Sequence, residues 1–297
     1  MRSWKIVAWR VLLFGLLFPV HVMAFNPGVT LMGDTGSGQW KHRVTFNEMR
    51  AHSRTLRTLD LNFKSHGLQT FTGIYLNELI QLSRRSPRKG VTIIGSDQYV
   101  TYLPLEELAR TFLAWHQGGG PISPLEGGEL KVLFHTEDGV HRACYTWYVK
   151  TLVMDQPRAA ALTLTTARGR QIHGRDALVN MAEPVAPHFV AIPRGCRHAL
   201  KTPGLGQSLL AVPLSRLLPA DTPAQTLTCH SLAGPPFELD ARILPWMKLV
   251  VGYGEAPLHP AMGGPFALIF PLDVPEAYQS MVPVSGGIFF ITEISVR

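Results

Sequence analysis

The sequence lacks several features that would place it in a common functional class. Charged residues make up only 16% of its 297 residues, and cysteine occurs three times. Lysine and arginine are scattered, so the basic stripe typical of nucleic-acid-binding proteins is missing. The sequence contains no Ser-His-Asp signature, phosphate-binding loop or zinc motif, which leaves conventional hydrolase functions without support. After the first residues, no apolar run is long enough to span a bilayer.

The amino-terminal residues have the pattern of an export signal. Three basic residues precede the apolar run Val11–Val20, and Val22-Met-Ala24 offers small residues where a signal peptidase cleaves. We expect residues 1–24 to be a signal peptide, removed to leave a soluble periplasmic protein. The formal charge of +7 would fall to +4, because the three basic residues are lost. A membrane anchor is the alternative, but Pro19 interrupts the run before the about 20 residues that a span requires.

An internal repeat is the most informative feature that is present. The segment Pro121–Phe134 recurs as Pro257–Phe270, with two prolines, a glycine pair and an apolar run at an offset of 136 residues. The same offset relates residues 91–108 to residues 227–244. A period this long is too large for a solenoid, so we expect two tandem globular domains. A feature that only one copy keeps is then not required for folding.

The repeat predicts a first domain at residues 25–156 and a second, degenerate domain at residues 157–297, joined near Asp155–Arg158. Many short strands with small helices between them predict an α+β fold of mixed β-sheet in each copy. In the first copy we expect strands at residues 28–31, 55–63, 91–94, 99–102, 130–134 and 145–153, and helices at 47–50, 76–82 and 105–114. In the second we expect strands at 161–164, 188–192 and 288–296 and a helix at 176–181.

Five segments, taken in order, resemble the molybdopterin-binding domain of sulfite-oxidase-type oxidoreductases. They cover most of the first copy and, more weakly, the second, and in the first copy they are Thr72–Leu79, Ser96–Tyr99, Pro104–Leu108, Gly118–Lys131 and Trp147–Leu152. The resemblance implies two tandem sulfite-oxidase-like domains, each with an α+β fold and a pocket for the pterin of the cofactor.

The cysteine positions bear on whether the chain holds molybdenum. In catalytic members of that family a cysteine thiolate binds the metal just before the helix that begins near Leu76, and the first copy has no cysteine between Leu56 and Leu79. Cys196, eighteen residues before Leu214 in the second copy, is the alternative ligand. It would make the chain a molybdopterin-dependent oxidoreductase.

The export signal favours a different member of the family. Family enzymes exported with their cofactor usually carry a twin-arginine signal, and residues 1–24 contain no adjacent arginine pair. The resemblance therefore points to small exported members without the cysteine. For these it implies a free pterin ligand, no metal, no catalysis, and a sensor role toward the periplasmic domain of a membrane signalling protein. A third possibility is an interaction protein whose pocket is vestigial.

A pterin requires a flat aromatic wall and a few donors and acceptors for the edge of its ring. The first copy supplies both kinds of side chain in Asp97, Tyr99, Tyr102, His141, Arg142, Tyr145, Trp147 and Lys150. The second copy has Ala233, Pro235, Glu238 and Thr292 in place of Asp97, Tyr99, Tyr102 and Lys150, so the ligand is expected in the first. Core packing of Tyr145 and Trp147, a solvated strand face at Lys150 and a turn-shaping role of Asp97 stay open as alternatives.

The remaining cysteines and histidines give weaker signals. Cys196 can be a disulfide partner, a metal ligand or a free thiol, and Cys229 is its expected partner because both belong to the second copy. His135 and His141 flank a turn and could form a metal pair, although no third ligand is evident. Four histidines spread through the second copy have no ligand spacing and are expected to be structural; they are His188, His198, His230 and His259.

Overall fold

A computed structural model gives the arrangement of most of the chain. It describes residues 27–34, 39–135, 144–154, 161–185, 195–196, 208–218, 226–270, 274–283 and 287–297. Among these residues, no helix is long and apolar enough to cross a membrane.

The described residues form short strands with a few short helices. The strands of the amino-terminal half are β1 (Val29–Asp34), β2 (Gln39–Val44), β3 (Arg54–Leu59), β4 (Leu68–Tyr75), β5 (Gly90–Gly95), β6 (Val100–Pro104), β7 (Thr111–Gln117), β8 (Gly120–Pro121), β9 (Lys131–Phe134) and β10 (Val149–Met154). Those of the carboxy-terminal half are β11 (Ala161–Thr166), β12 (Gly169–Gly174), β13 (Glu183–Val185), β14 (Gly195–Cys196), β15 (Leu209–Pro213), β16 (Thr226–Ser231), β17 (Phe237–Asp240), β18 (Lys248–Tyr253), β19 (Ala256–Pro257), β20 (Phe266–Ile269) and β21 (Gly287–Val296). The α-helices are α1 (Phe46–Ala51), α2 (Leu76–Gln81), α3 (Arg175–Val179) and α4 (Glu276–Gln279).

The strands assemble into three sheets. One has the order β14-β6-β5-β10-β1-β2, and another has the order β3-β4-β7-β8 with β9 on β7. The largest runs β12-β11-β21-β20-β18-β15-β13, with β16 and β17 attached at β21 and β19 attached at β18. Most neighbours are antiparallel, whereas β1 with β10, β11 with β21, and β14 with β6 are parallel.

The two halves repeat one pattern of strand pairing. β1 pairs with β2 and β10, and β11 pairs in the same senses with β12 and β21. β5 pairs with β6 and β10, and β16 pairs with β17 and β21. β7 pairs with β4, β8 and β9, and β18 pairs with β15, β19 and β20. Equivalent segments of the sequence repeat therefore occupy equivalent places in the sheets.

A tight backbone contact recurs with the repeat. Gly127 has φ 118° and Tyr148 has φ 51°, and the Tyr148 N–H donates to the Gly127 carbonyl over 2.9 Å. Gly263 and Phe290 have φ 97° and 62°, and their bond is 2.7 Å long. Left-handed backbone at a tyrosine and a phenylalanine is strained, so both halves hold these residues in place by surrounding contacts.

The pattern of buried side chains explains why these segments form strands or helices. Every residue of β5, β6 and β9 is buried, in keeping with strands covered on both faces. In α2, Leu76, Leu79 and Ile80 are buried at helical spacing. A capping box of Thr45 and Glu48 begins α1.

An apolar cluster joins the two halves. Met32, Ile94, Val100, Tyr102 and Val153 of the first half pack with residues of the second, which include Leu209, Ala233, Val250, Leu258 and Phe289. The Thr151 hydroxyl donates to the Leu232 carbonyl over 2.8 Å across the same contact. The short strand β14 adds its backbone to the edge of the first half's sheet beside β6.

The α+β class expected from the sequence is confirmed, and some element boundaries differ. The helix expected at residues 105–114 is wrong, because a 3₁₀ turn at Leu105–Glu107 leads into strand β7. β7 pairs with both β4 and β9, and this pairing overrides the local helical pattern. The last strand of the first half begins at Val149 rather than residue 145. The strand expected at 188–192 and the join near 155–158 lie outside the described residues.

Candidate functional site

The eight side chains proposed for ligand binding lie in several places. Asp97 and Tyr99 occupy the turn between β5 and β6, where Asp97 Oδ1 accepts the Tyr99 N–H over 3.1 Å. Partial desolvation raises the pKa of Asp97, while hydrogen bonds from the backbone N–H groups of Tyr99 and of Asp97 itself oppose this. Desolvation, followed by the nearby Asp97 charge, raises the pKa of Tyr99. Both residues shape one turn at the surface.

Two of the proposed tyrosines pack in the interior. Tyr102 is 9% exposed and meets the His259 ring edge-on at 5.1 Å, at the contact between the halves. Tyr145 is 4% exposed and packs edge-on against Phe134 at 5.3 Å. Neither ring lines the surface cavity described below. His141 and Arg142 lie outside the described residues.

Trp147 is part of an aromatic column at the carboxyl end of the first repeat. Its ring stacks on Phe63 with centroids 5.6 Å apart and planes 15° apart, and Phe63 stacks on His66 at 5.5 Å. Trp147 and Phe63 are both half-buried. The indole Nε1 of Trp147 is buried and has no hydrogen-bond acceptor in the described part of the chain. The column therefore offers a flat wall with an unused donor.

A lysine lies against this column in the interior. Lys131 is fully buried, and its Nζ is 4.7 Å from the Phe63 ring centroid and 5.1 Å from that of Trp147. Nζ donates to the carboxylate of Asp60 and to the Glu126 carbonyl over 2.6 Å. An ammonium against two aromatic faces gains a cation–π attraction that strengthens when water is excluded.

Burial and pairing act in opposite directions on the pKa of Lys131. Desolvation lowers the pKa of Lys131, and the hydrogen bond and charge of Asp60 and the charge of Glu126 raise it. Asp60 is itself 3% exposed, and its Oδ1 also accepts the Asn62 N–H over 3.0 Å. The pair therefore satisfies itself inside the protein, where a lone charge would be very costly.

Glycine at position 127 permits this arrangement. A Cβ there would lie 3.0 Å from Lys131 Cδ and 3.1 Å from the Trp147 ring, and the φ of 118° disfavours any other residue. The chain thus approaches the lysine and the tryptophan as closely as sterics permit.

The second half closes the equivalent place with apolar side chains. The constant offset puts Ala267 at the position of Lys131, and the shared turn puts Phe289 at that of Trp147. Ala267 is 1% and Phe289 is 3% exposed. The fold therefore does not require the buried ion pair, and its presence in one half alone points to function.

Sequence reasoning did not identify three residues of this site, Asp60, Phe63 and Lys131. Asp60 and Phe63 sit in an otherwise ordinary polar stretch, and only contacts across the sheet bring them to Trp147. A signal for Lys131 was present, because a lysine inside the apolar run Leu130–Phe134 replaces an alanine of the repeat.

A cavity lies near the column, at the stretch that follows Trp147. It has a volume of about 150 Å³ and is lined by Gly28, Ser96, Glu129, Leu130, Tyr148, Val149 and Lys150. The Tyr148 hydroxyl donates to the Pro124 carbonyl over 2.6 Å, which fixes that ring. Lys150 is exposed at the cavity. Trp147 faces the column while Tyr148 and Lys150 line the cavity, so this stretch connects the two features.

The cysteines have a pairing that the sequence did not predict. Cys144 is disulfide-bonded, whereas Cys229 is a buried free thiol. The expected Cys196–Cys229 disulfide is therefore wrong. Burial raises the pKa of Cys229 to about 12, so it stays protonated and cannot act as a thiolate. The side chain of Cys196 lies outside the described part of the structure.

The described histidines and carboxylates do not gather into a metal centre: within the described ranges, no group of three or more such side chains lies close enough. The His135 Nε2 lies 3.2 Å from the Tyr75 hydroxyl, and its predicted partner His141 is outside those ranges. His259 is half-buried, and its Nδ1 accepts the Ala261 N–H over 3.0 Å.

Comparison with known proteins adds no identification: no protein-family model matches the chain, and no curated protein matches it significantly. The geometry of the site is thus the basis for a function.

Proposed function

We propose that the chain is an exported, non-catalytic protein that binds a small, flat, pterin-like heteroaromatic molecule in its amino-terminal half. The observation that carries the proposal is the buried Lys131–Asp60 pair against the Phe63 and Trp147 rings, which the second half replaces with Ala267 and Phe289. The second half has an apolar contact at the equivalent place, so the ion pair of the first half serves a purpose other than folding.

The Trp147–Lys150 stretch and the groups around it match the needs of such a ring. Partly exposed aromatic faces supply stacking area. Ser96, Glu129 and Lys150 bring a hydroxyl, a carboxylate and an ammonium to the cavity for the edge of the ring. The fixed Tyr148 ring forms one wall.

The size of the cavity favours a small ligand. Its volume of about 150 Å³ is below the roughly 300–1,000 Å³ typical of pockets for drug-sized molecules. One ring system would fit, whereas a cofactor extended by a nucleotide would not. The ligand we propose is therefore a free pterin rather than an elaborated one.

The thiol chemistry agrees with a metal-free ligand. A molybdenum site of the sulfite-oxidase type requires a cysteine thiolate, and a sulfur in a disulfide offers none. Cys144 is bonded, and Cys229 is held protonated by burial. The segment that would carry the thiolate in the first half instead provides Asp60, whose carboxylate is bound by Lys131.

Extraction of the native protein tests the proposal. Mature protein isolated from its own compartment should release about one equivalent of a fluorescent heteroaromatic compound on denaturation, as one site predicts. Metal analysis of the same sample should find no stoichiometric molybdenum, and finding it would overturn the proposal.

A variant without the ion pair separates binding from folding, because Asp60 and Lys131 are replaced together. We expect the triple substitution Asp60→Leu, Lys131→Met and Trp147→Phe to abolish quenching of the remaining fluorescence by added pterin. The matched control is Thr292→Lys, which places the Lys150 residue at the equivalent position of the second half and should leave binding unchanged. Equal pterin binding by the triple variant and the wild type would contradict the site.

A further inference from the structure

The largest sheet ends in an open strand. β12 pairs with β11 on one side, and no other described strand pairs with it. It is exposed along its length except for the half-buried His173. A Cβ placed on Gly169 or Gly174 would meet no atom within 4 Å. The strand therefore presents an accessible edge, which proteins usually protect against pairing with other chains.

An isoleucine lies on this edge strand, where a charged side chain that prevents pairing with other chains is expected. Ile172 is 66% exposed and lies opposite Thr163 on the outer face of the sheet, next to Arg170 opposite Thr165. Burial of such a side chain would contribute about 1.5–3 kcal/mol. Exposed apolar residues on open edges are what a partner strand covers.

The first half shows how the same edge is guarded. The repeat aligns Val29–Leu31 with Leu162–Leu164, so Arg43, opposite Thr30, corresponds to Ile172, opposite Thr163. Arg43 is exposed on β2, and the next residue, Val44, lies in the core. The fold accepts a charged residue at this place, and the isoleucine is specific to the second half.

The surroundings of β12 are cationic. Arg168 precedes the strand, Arg170 and His173 belong to it, and Arg175 follows it, whereas Asp176 is the one acidic residue between 168 and 176. Antiparallel pairing with a second copy, centred between Gln171 and Ile172, would bring both sets of arginines to one seam. An acidic strand would instead neutralise them.

We propose that β12 is a docking edge to which an extended segment of a partner protein adds as a further strand, with an apolar and an acidic side chain two residues apart on one of its faces. The apolar side chain would cover Ile172, and the acidic one would face Arg170 on the same face of the sheet. The proposal concerns a surface of the second half and does not depend on a ligand in the first.

Peptide binding to the full mature protein tests this docking edge. The probe is a fluorescein-labelled peptide of Val-Thr-Glu-Thr repeats, which places valine and glutamate alternately along one face, and its control has proline in place of every second threonine, which prevents strand pairing. Fluorescence anisotropy should show binding of the first peptide alone. Ile172→Arg, which installs the residue of the first half, should weaken it about tenfold or more, because the apolar contact is lost.

Charge reversal adds a second arm. Arg170→Glu should weaken binding of the glutamate peptide and allow binding of the same peptide with lysine in place of glutamate. Arg43→Ile, the reciprocal change in the first half, should leave the affinity within about twofold of the wild type, since that site is not the docking edge. Unchanged binding by Ile172→Arg would overturn the proposal. So would sedimentation equilibrium showing a dimer that Ile172→Arg abolishes, because the occupant would then be a second copy.

Discussion

At the scale of single residues, the most informative feature is a charge inside the protein. Lys131 and Asp60 satisfy each other and touch aromatic rings on one side. Pairs of this kind are seldom the cheapest way to stabilise a core, because both ions must lose their water. Their retention in one half is therefore best explained by the local field and donor they provide.

Breaking this ion pair and replacing it should have different effects. We expect Lys131→Ala to destabilise the protein by about 3–5 kcal/mol, because the Asp60 carboxylate is left buried without a partner. The double change Asp60→Leu with Lys131→Met should cost far less or stabilise the fold. Urea unfolding of the three proteins checks this, and a double variant as unstable as the single one would contradict it.

His259 gives a prediction on pH. Desolvation, with a smaller effect of Lys89, lowers the pKa of His259 to about 4 from an ordinary 6.5. The unfolded chain therefore binds a proton between pH 6.5 and 4 that the folded chain does not. Stability should fall as pH decreases through this window, by at most about 3 kcal/mol from this group.

The first half supplies the matched variant for that measurement. Ser123 stands at the position of His259, and its hydroxyl accepts the Leu125 N–H over 3.2 Å as His259 accepts that of Ala261. His259→Ser should keep the cap and flatten the acid limb of the stability curve between pH 6.5 and 4. An identical limb in wild type and variant, measured by urea unfolding, would exclude His259 as its source.

Thiol counting checks the cysteine assignment. Without reduction, iodoacetamide should label no cysteine in the native protein and one after unfolding, because Cys229 is buried and Cys144 is bonded. Reduction of the unfolded protein should raise the number of labels to three by mass spectrometry. Three labels on the unreduced, unfolded protein would contradict the disulfide.

At the scale of elements, close backbone packing fixes how β4 pairs with β7. A Cβ on Gly73 would lie 2.2 Å from the Leu113 carbonyl oxygen and 2.8 Å from Ala114 Cα. Gly73→Ala should therefore destabilise the protein by about 1–3 kcal/mol or more through overpacking. Gly120→Ala, where a Cβ meets nothing within 4 Å, is the control. Melting temperatures that fall equally for the two variants would contradict this account.

Local sequence was sufficient for some elements and insufficient for others. The helix at α2 and the strands β5 and β6 follow from the spacing of apolar residues such as Leu76, Leu79 and Ile93. β7 has a local pattern that also suits a helix, and its pairing with β4 and β9 settles the outcome. Pairing over long sequence separations is not visible in a single strand's residues.

The site was only partly accessible to sequence reasoning for a related reason. Trp147 and Lys150 were chosen because a pterin requires an aromatic wall and polar groups, and they lie at the column and the cavity. Tyr102 and Tyr145 were chosen by the same rule and pack in the interior. Differences between copies identify residues that the fold does not need, but they do not separate a ligand wall from a contact between halves.

At the scale of the whole molecule, the two halves share one apolar cluster. Residues of both halves, such as Tyr102 and Phe289, are buried in it. We therefore expect one cooperative unfolding transition, with equal calorimetric and van't Hoff enthalpies. Two resolved transitions in scanning calorimetry would show that the halves unfold independently and would contradict this expectation.

The position of β14 determines how the molecule should behave after proteolysis. It comes from the second half, yet its backbone is hydrogen-bonded to the edge of the first half's sheet beside β6. A protease nick between residues 154 and 161 would thus sever the covalent link without releasing either fragment. The nicked molecule should elute from gel filtration as an intact particle and separate only in denaturant.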